Sequence, residues 1–137
     1  MNYSITIPGE PIAKARPRVC GNIAYTPAKT KNYETLIKEI YWGKHGQTIE
    51  QMDGMLRMHI RAYFPIPRSK SKKVQEQMHT NAIRPIKRPD IDNIVKSVSD
   101  ALNKVAYTDD SQIVEVVAGK YYAHNPRVEI VIEKIGE

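Results

Sequence analysis

The sequence predicts an α/β domain in which helices pack on a small mixed β-sheet. Three observations predict this class: alternating apolar residues in several short stretches, one strongly amphipathic helical segment after residue 90, and the chain length. A chain of 137 residues can bury a single moderate core. We therefore expect one domain over residues 1–137, with about four strands and two main helices.

The amino-terminal half predicts the order strand, helix, strand. Apolar and polar residues alternate in "NYSITI", which predicts a strand over residues 2–7, and the Pro- and Gly-rich stretch that follows predicts a loop or irregular hairpin. Thr26 and Pro27 supply an N-cap and a first-turn proline for a helix that runs to about Trp42. The alternation in "MLRMHIRAYF" predicts a second strand with a basic outer face.

The carboxyl-terminal half predicts a helix followed by two strands. Residues 69–79 suit a short polar helix, and "TNAIRPIKRP" is expected to be extended because Pro85 and Pro89 each restrict the preceding residue. From Ile91 to Val105, apolar residues recur at helical spacing and predict the clearest amphipathic helix of the chain. "QIVEVVAGKYY" and "RVEIVIEKI" are predicted strands. Because only "AHNP" separates them, we expect an antiparallel pair.

Positive charge is concentrated rather than spread along the chain. The net charge is +6, yet residues 68–88 hold seven basic side chains and one acid, whereas residues 97–137 hold four basic and seven acidic side chains. A second basic cluster lies near the amino terminus, at Lys14, Arg16 and Arg18. Nucleic acid is the expected partner class because each neutralised phosphate releases counterions. The alternative is a solvated basic loop.

Several other classes of protein are disfavoured. The sequence has no secretory leader and no run of roughly 18 apolar residues, so we expect a cytoplasmic protein with no membrane segment. A lone Cys20 cannot form an internal disulfide and suits a reducing compartment. The histidines lack zinc-ligand spacing, the serines lack a nucleophile motif, and the glycines form no phosphate-binding loop.

Asp90 and Asp92 stand where the extended stretch meets the amphipathic helix. Residues two apart project the same way from an extended chain but about 200° apart on a helix, so the two carboxylates can share a cation only if the chain before the helix is extended. Pro89 favours that conformation. The alternative is an ordinary N-cap with a solvated neighbour.

Further candidates lie on the helix and in the turn after it. Lys96 follows Asp92 by four residues and shares its helix face, with Asn93 beside them. A third carboxylate could come from Asp109 or Asp110 in "TDDSQ", unless these residues only shape the turn. The basic residues upstream shift the balance towards a phosphodiesterase site. Such a site needs acids to hold a hard cation and bases to hold the DNA backbone.

The sequence "RPDIDNIVKSVSDAL" followed by "YTDDSQIVEV" resembles the core motif of the RusA family of Holliday junction resolvases. In that family an acidic pair D-x-D-N precedes a lysine and D-A-L, and a second acidic pair precedes a strand. The match covers about residues 88–116. The opening "SITIPGEPIAKARPR" resembles the first strand and DNA-contacting loop of the family, and residues 26–80 match only in the order of elements.

The resemblance implies a RusA-like fold and a homodimeric, Mg²⁺-dependent endodeoxyribonuclease, with Mn²⁺ as a substitute cation. Such enzymes nick opposed strands of branched DNA, especially four-way junctions, and are often encoded by phages or prophages. By position, the metal-binding aspartates are Asp90, Asp92 and Asp110, and the essential lysine is Lys96. Asn93 and Asp109 are candidates for orienting these ligands, and Asp109 is alternatively a reserve ligand. The expected DNA-binding residues are Lys14, Arg16, Arg18, Arg84, Lys87 and Arg88.

Three other functions stay open at this point. A nuclease for flaps or forks would use the same acids and differ only in DNA geometry. A DNA-binding module without catalysis would use the acids only as caps and turns. RNA binding has generic charge in its favour, but the chain lacks the aromatic pattern of common RNA-binding sheets.

Overall fold

The fold is a four-stranded mixed sheet with helices on it, as the sequence predicts. The computed structural model describes residues 2–12, 18–25, 28–46 and 50–136. Its helices are α1 (Ala28–His45), α2 (Lys72–His79) and α3 (Ile91–Leu102), and a short 3₁₀ turn at Asp110–Gln112 follows α3. Its strands are β1 (Asn2–Pro8), β2 (Arg18–Cys20), β3 (Ile23–Tyr25), β4 (Leu56–Pro65), β5 (Ile113–Ala123) and β6 (Arg127–Lys134).

The main sheet has the strand order β1-β6-β4-β5. β6 runs antiparallel to both β1 and β4, whereas β5 runs parallel to β4. β2 and β3 form a separate short hairpin, which agrees with the predicted irregular hairpin after β1. Parallel β4 and β5 are joined by the long connection that contains α2 and α3, as a parallel crossover requires.

The predicted antiparallel pairing of the last two strands is wrong. β5 and β6 each pair with β4, which lies between them. The short connection 124–126 can cross β4, because two strand spacings amount to only about 10 Å. β4 suits the central position because its inward residues are all apolar, whereas β5 carries Glu115, Gly119 and Lys120 and suits an edge.

The core lies between the sheet and the pair α1 and α3. β4 contributes its alternate residues Leu56, Met58, Ile60, Ala62 and Phe64, each at most 2% exposed. The helices contribute Tyr33, Ile37 and Tyr41 from α1 and Ile94, Val98, Ala101 and Leu102 from α3. The period-two pattern of β4 and the helical pattern of α3 thus bury the faces that the sequence predicts.

Element boundaries differ modestly from the prediction. α1 continues to His45, and the predicted N-cap Thr26-Pro27 lies outside the described residues. α2 begins at Lys72, capped by Ser71, whose hydroxyl accepts from the Val74 amide. α3 ends at Leu102 rather than at Val105, because Lys104 adopts a left-handed φ of 64°. None of the described helices is long and apolar enough to cross a membrane.

Candidate active site

The chain before α3 is extended, as the sequence predicts. Asp90 is the N-cap residue of α3, with φ −68° and ψ 151°, and its carbonyl accepts from the Ile94 amide at 3.1 Å. The Asp90 carboxylate, however, makes no capping hydrogen bond. Asp90 therefore occupies the cap position while its exposed side chain is left for another use.

Asp92 and Lys96 lie on one exposed stripe of α3. They are four residues apart in the helix, and both side chains are exposed. Asn93 is half-buried beside them. Within the described ranges, neither side chain forms a hydrogen bond or ion pair, so no structural contact accounts for the charges of Asp92 and Lys96.

Asp109 has a structural role in its own turn. Its carboxylate accepts from the Ser111 amide at 3.2 Å and from the Ser111 hydroxyl, while the Gln112 side chain accepts from the Asp109 amide at 3.0 Å. This arrangement is a capping box. The hydrogen bonds from Ser111 hold the pKa of Asp109 below its usual range. Asp109 is thereby already partnered within the turn.

Asp110 lies near Tyr107, whose side chain contacts the carboxyl-terminal part of α3. The Tyr107 hydroxyl is buried and donates to the Ser99 carbonyl at 2.7 Å. Burial raises the pKa of Tyr107, and the nearby carboxylates of Asp110, Asp100 and Asp109 raise it further, in that order. Asp110 and Asp100, an acid that the sequence analysis did not select, therefore both lie near Tyr107.

Asp100 is half-buried and lies one turn beyond Lys96 on the same side of α3. Lys96 follows Asp92 by four residues and Asp100 follows it by eight, and this helical spacing could have indicated Asp100 from the sequence. Eight residues correspond to about 12 Å along a helix axis, so Lys96 lies midway between the Asp92 end and the Asp100 end. Among the described residues, no group of three or more His, Cys, Asp or Glu side chains is arranged to hold a metal ion.

The donor set nevertheless fits Mg²⁺. Mg²⁺ prefers carboxylate oxygens and commonly uses one or two carboxylates, with waters and substrate phosphates as its other ligands. Asp90 and Asp92 are two exposed carboxylates without protein partners within the described ranges. The pair suits a cation that is completed by substrate and does not require a cage of three acids within one chain.

The basic segment before Asp90 is attached to the edge of the sheet. Arg84 Nε donates to the Lys120 carbonyl at 2.8 Å, and the Arg84 guanidinium lies 4.2 Å from the ring centre of Tyr121. Lys120 Nζ donates back to the Lys87 carbonyl at 2.5 Å. These contacts fix residues 84–87 against β5, immediately before the acidic pair.

An aromatic stack supports Arg84 on the outer face of the sheet. The rings of Tyr121 and Tyr63 are stacked with centres 5.5 Å apart, and the Arg127 guanidinium lies 4.0 Å from the centre of the Tyr63 ring. Gly119 makes room for this stack, since a Cβ there would lie 2.9 Å from Arg84 Nη2 and 2.8 Å from the Tyr121 hydroxyl. Nothing in the strand pattern of the sequence predicts this stack.

The other predicted DNA-binding residues are described unequally. Lys87 and Arg88 are exposed, and Lys87 Nζ lies 5.7 Å from the ring centre of Phe64, near Lys120 Nζ at 5.3 Å. Lys120 therefore adds a positive charge that sequence reasoning did not place here. Lys14 and Arg16 lie outside the described residues, and only the backbone of Arg18, at the start of β2, is described.

The predicted basic outer face of β4 is largely neutralised. Arg57 pairs with Glu115 of β5 at 3.2 Å and with Glu133 of β6 at 2.8 Å, and His59 Nε2 lies 3.1 Å from Glu133. Hydrogen bonds from Arg57 and then His59 hold the pKa of Glu133 below its usual range. A hollow of about 300 Å³ beside these pairs contains none of the predicted site residues.

Known proteins resemble this chain over most of its length. The family model described as "Endodeoxyribonuclease RusA" matches residues 8–133. "Uncharacterized protein YqaN" of Bacillus subtilis (strain 168) is 38% identical over 138 residues, which cover 95% of this chain and 94% of that protein. "Crossover junction endodeoxyribonuclease rusA" of Lactococcus phage r1t is 28% identical over 123 residues, which cover 89% of this chain and 86% of the phage protein.

Proposed function

Because the chain belongs to the RusA endodeoxyribonuclease family, we propose that it is a Mg²⁺-dependent nuclease that resolves four-way DNA junctions in recombination and repair. It acts by paired nicks in opposed strands. The observation that carries this proposal concerns Asp90. This residue occupies the N-cap position of α3 in an extended conformation, yet its carboxylate makes no capping hydrogen bond. A pair of unpartnered acids directly after a fixed basic segment suits phosphodiester hydrolysis better than it suits a helix terminus.

The proposed cation ligands are Asp90 and Asp92, whereas Asp110, the predicted third acid, lies near the other end of α3, more than about 12 Å away along the helix axis. Their carboxylates supply the hard oxygen donors that Mg²⁺ prefers, and Mn²⁺ accepts the same donors. When bound, the metal supplies an activated water and neutralises charge on the scissile phosphate. Asp109 is left out of this set because its carboxylate caps its own turn. Asn93, beside Asp92, would help to orient the acid.

Lys96 would stabilise charge at the reacting phosphate. Its ammonium is exposed on the same stripe as Asp92 and has no ion-pair partner among the described residues. A lysine that only balanced a neighbouring acid on a helix surface would contribute about 0.3–0.5 kcal/mol. An ammonium positioned for charge that develops during cleavage contributes far more to the rate.

The basic segment would hold the DNA backbone. Arg84 uses Nε for the Lys120 carbonyl, which leaves its Nη groups as donors for phosphate. Lys87 and Arg88 are exposed beside it, and Lys14, Arg16 and Arg18, which follow β1 in the sequence, would form the second proposed contact. Such contacts position the DNA without reading much sequence.

A homodimer would match the symmetry of the substrate. A four-way junction presents two equivalent strands for cleavage, and a two-fold dimer presents two equivalent sites. Paired nicks in opposed strands follow from that arrangement.

Substitution of the acid and the lysine tests the proposal. We expect Asp90→Asn to lower the rate of four-way-junction cleavage in Mg²⁺ by about 10²–10³-fold, and Lys96→Met to lower it strongly while leaving the fold and DNA binding in place. The matched controls are Glu39→Gln and Lys31→Met, which alter exposed residues of α1. Cleavage by Asp90→Asn at the parent rate would remove Asp90 from the chemistry.

A further inference from the structure

β5 is an edge strand whose free edge carries exposed apolar side chains. Among the described strands it pairs only with β4, and Val114, Val116 and Val117 are 57%, 42% and 50% exposed. An exposed strand edge presents unpaired N–H and C=O groups, and apolar side chains along it favour pairing with another strand. The free edge of β5 is therefore a surface that fits a partner strand.

Only part of the free edge of β5 is both regular in its pairing and unoccupied. At one end, Leu56 pairs with Ile113 and Arg57 pairs with Glu115, so Val114 is an extra residue in a bulge. At the other end, the Lys120 carbonyl already accepts from Arg84 Nε. The regular and open stretch is thus Glu115–Gly119.

This stretch is complementary to itself. Two copies paired antiparallel about a two-fold axis perpendicular to the sheet must place one residue opposite itself, because paired residues lie on the same face. The centre of the open stretch is Val117. In that register Val117 lies opposite Val117 of the second copy, and Val116 lies opposite Ala118 of the second copy.

Charge complementarity supports a second copy as the occupant. Glu115, the one charged residue of the stretch, pairs with Arg57 of its own chain through Oε1 and would lie opposite Gly119 of the second copy. The Arg84 guanidinium lies over Gly119, with Nη2 2.9 Å from the position of a Cβ. The carboxylate of each copy would therefore face the guanidinium of the other copy, twice by symmetry.

We propose that two copies of this chain associate through Glu115–Gly119 of β5, paired antiparallel about a two-fold axis at Val117. The two four-stranded sheets then form one continuous sheet. The proposal rests on the proposed function only in that both require a homodimer, and it adds the surface and the register.

Disulfide trapping tests the register. In a Cys20→Ser background, Val117→Cys places one thiol opposite its equivalent in the second copy, within reach of a disulfide. We expect mild oxidation at low protein concentration to give a covalent dimer on a non-reducing gel. The matched control is Ile23→Cys, at an exposed position on the β2–β3 hairpin. Cross-linking of Val117→Cys no greater than that of Ile23→Cys would overturn the proposal.

Sedimentation equilibrium gives a second, independent measurement. We expect Val117→Asp, which places two carboxylates opposite each other, to raise the dimer dissociation constant by at least about tenfold, and Ile23→Asp to leave it unchanged. A monomeric parent protein, or an unchanged dissociation constant for folded Val117→Asp, would contradict the interface. Junction cleavage by the parent protein tests the nuclease proposal separately. Cleavage without trapping rejects the interface alone, and trapping without cleavage rejects the nuclease alone.

Discussion

Asp90 and Asp109 both occupy N-cap positions, but only Asp109 uses its carboxylate as a cap. The difference is encoded three residues later: Gln112 completes a capping box with Asp109, whereas Asn93 follows Asp90. The sequence therefore contained the signal that separates a turn residue from a candidate ligand. It contained no comparable signal for Tyr107, whose position among Asp100, Asp109 and Asp110 depends on the turn after α3.

At the same scale, Gly119 is expected to be needed for the position of Arg84. A Cβ at residue 119 would lie within 2.9 Å of both Arg84 and Tyr121, so one of these side chains must move. We expect Gly119→Ala to fold but to lower the free energy of unfolding by about 1 kcal/mol, measured by urea denaturation, because the crowded groups are side-chain ends.

A double-mutant cycle with Arg84→Ala is the control for Gly119→Ala. Removing the guanidinium first should reduce the cost of Gly119→Ala by at least about 0.5 kcal/mol, because one of the two crowded groups is gone. An equal cost in both backgrounds would show that Arg84 does not depend on the space at Gly119.

At the scale of elements, strands were easier to predict than their partners. Alternation located β1 and β4, and runs of β-branched residues located β5 and β6, because both signals depend on the residues of one strand alone. Pairing depends on competition among strands for the central position. The uniformly apolar inner face of β4 takes that position, whereas chain proximity suggested a hairpin of β5 and β6.

The pairing of β4 with β6 predicts an acid-sensitive contribution to stability. Hydrogen bonds from Arg57 and then His59 lower the pKa of Glu133, so the folded state favours the charged carboxylate. A group with a lowered pKa stabilises the fold above its unfolded pKa of about 4.3, and this stabilisation is lost as the pH falls through the folded pKa.

We expect the parent protein to have a higher Tm than Glu133→Gln near neutral pH, and the difference to shrink as the pH falls below about 4.3. Thermal unfolding followed by circular dichroism between pH 7 and pH 3 measures it. Glu39→Gln, at an exposed position of α1, should follow the parent curve. A Tm difference between parent and Glu133→Gln that does not change with pH would contradict the assigned role of the ion pairs.

At the scale of the whole molecule, the fold places the candidate site residues along α3. The acidic pair stands at its amino-terminal end, Lys96 lies in the middle, and Asp100 and Asp110 lie near its other end. The extended entry to the helix predicted Asp90 and Asp92, and helical spacing predicted Lys96. The position of Asp110 could not be predicted, because it depends on how the turn at 103–112 packs around buried Tyr107.

The basic segment completes this arrangement through contacts between distant parts of the chain. Arg84 and Lys87 are held by Lys120, which lies more than thirty residues later in the sequence. Charge counting could predict that residues 84–88 are basic, but not that an edge strand fixes them next to Asp90. The structure thus gives the segment a defined place beside the acids.

Cleavage of a synthetic four-way junction, with each strand labelled in turn, tests the proposed function most directly. We predict nicks at symmetric positions in two opposed strands, dependent on Mg²⁺ and abolished by EDTA, with linear duplex left intact. Flap and fork substrates in the same assay measure the preference for junctions over other branched DNA. Folded protein that leaves the junction uncut in Mg²⁺, or cuts linear duplex equally well, would contradict the account.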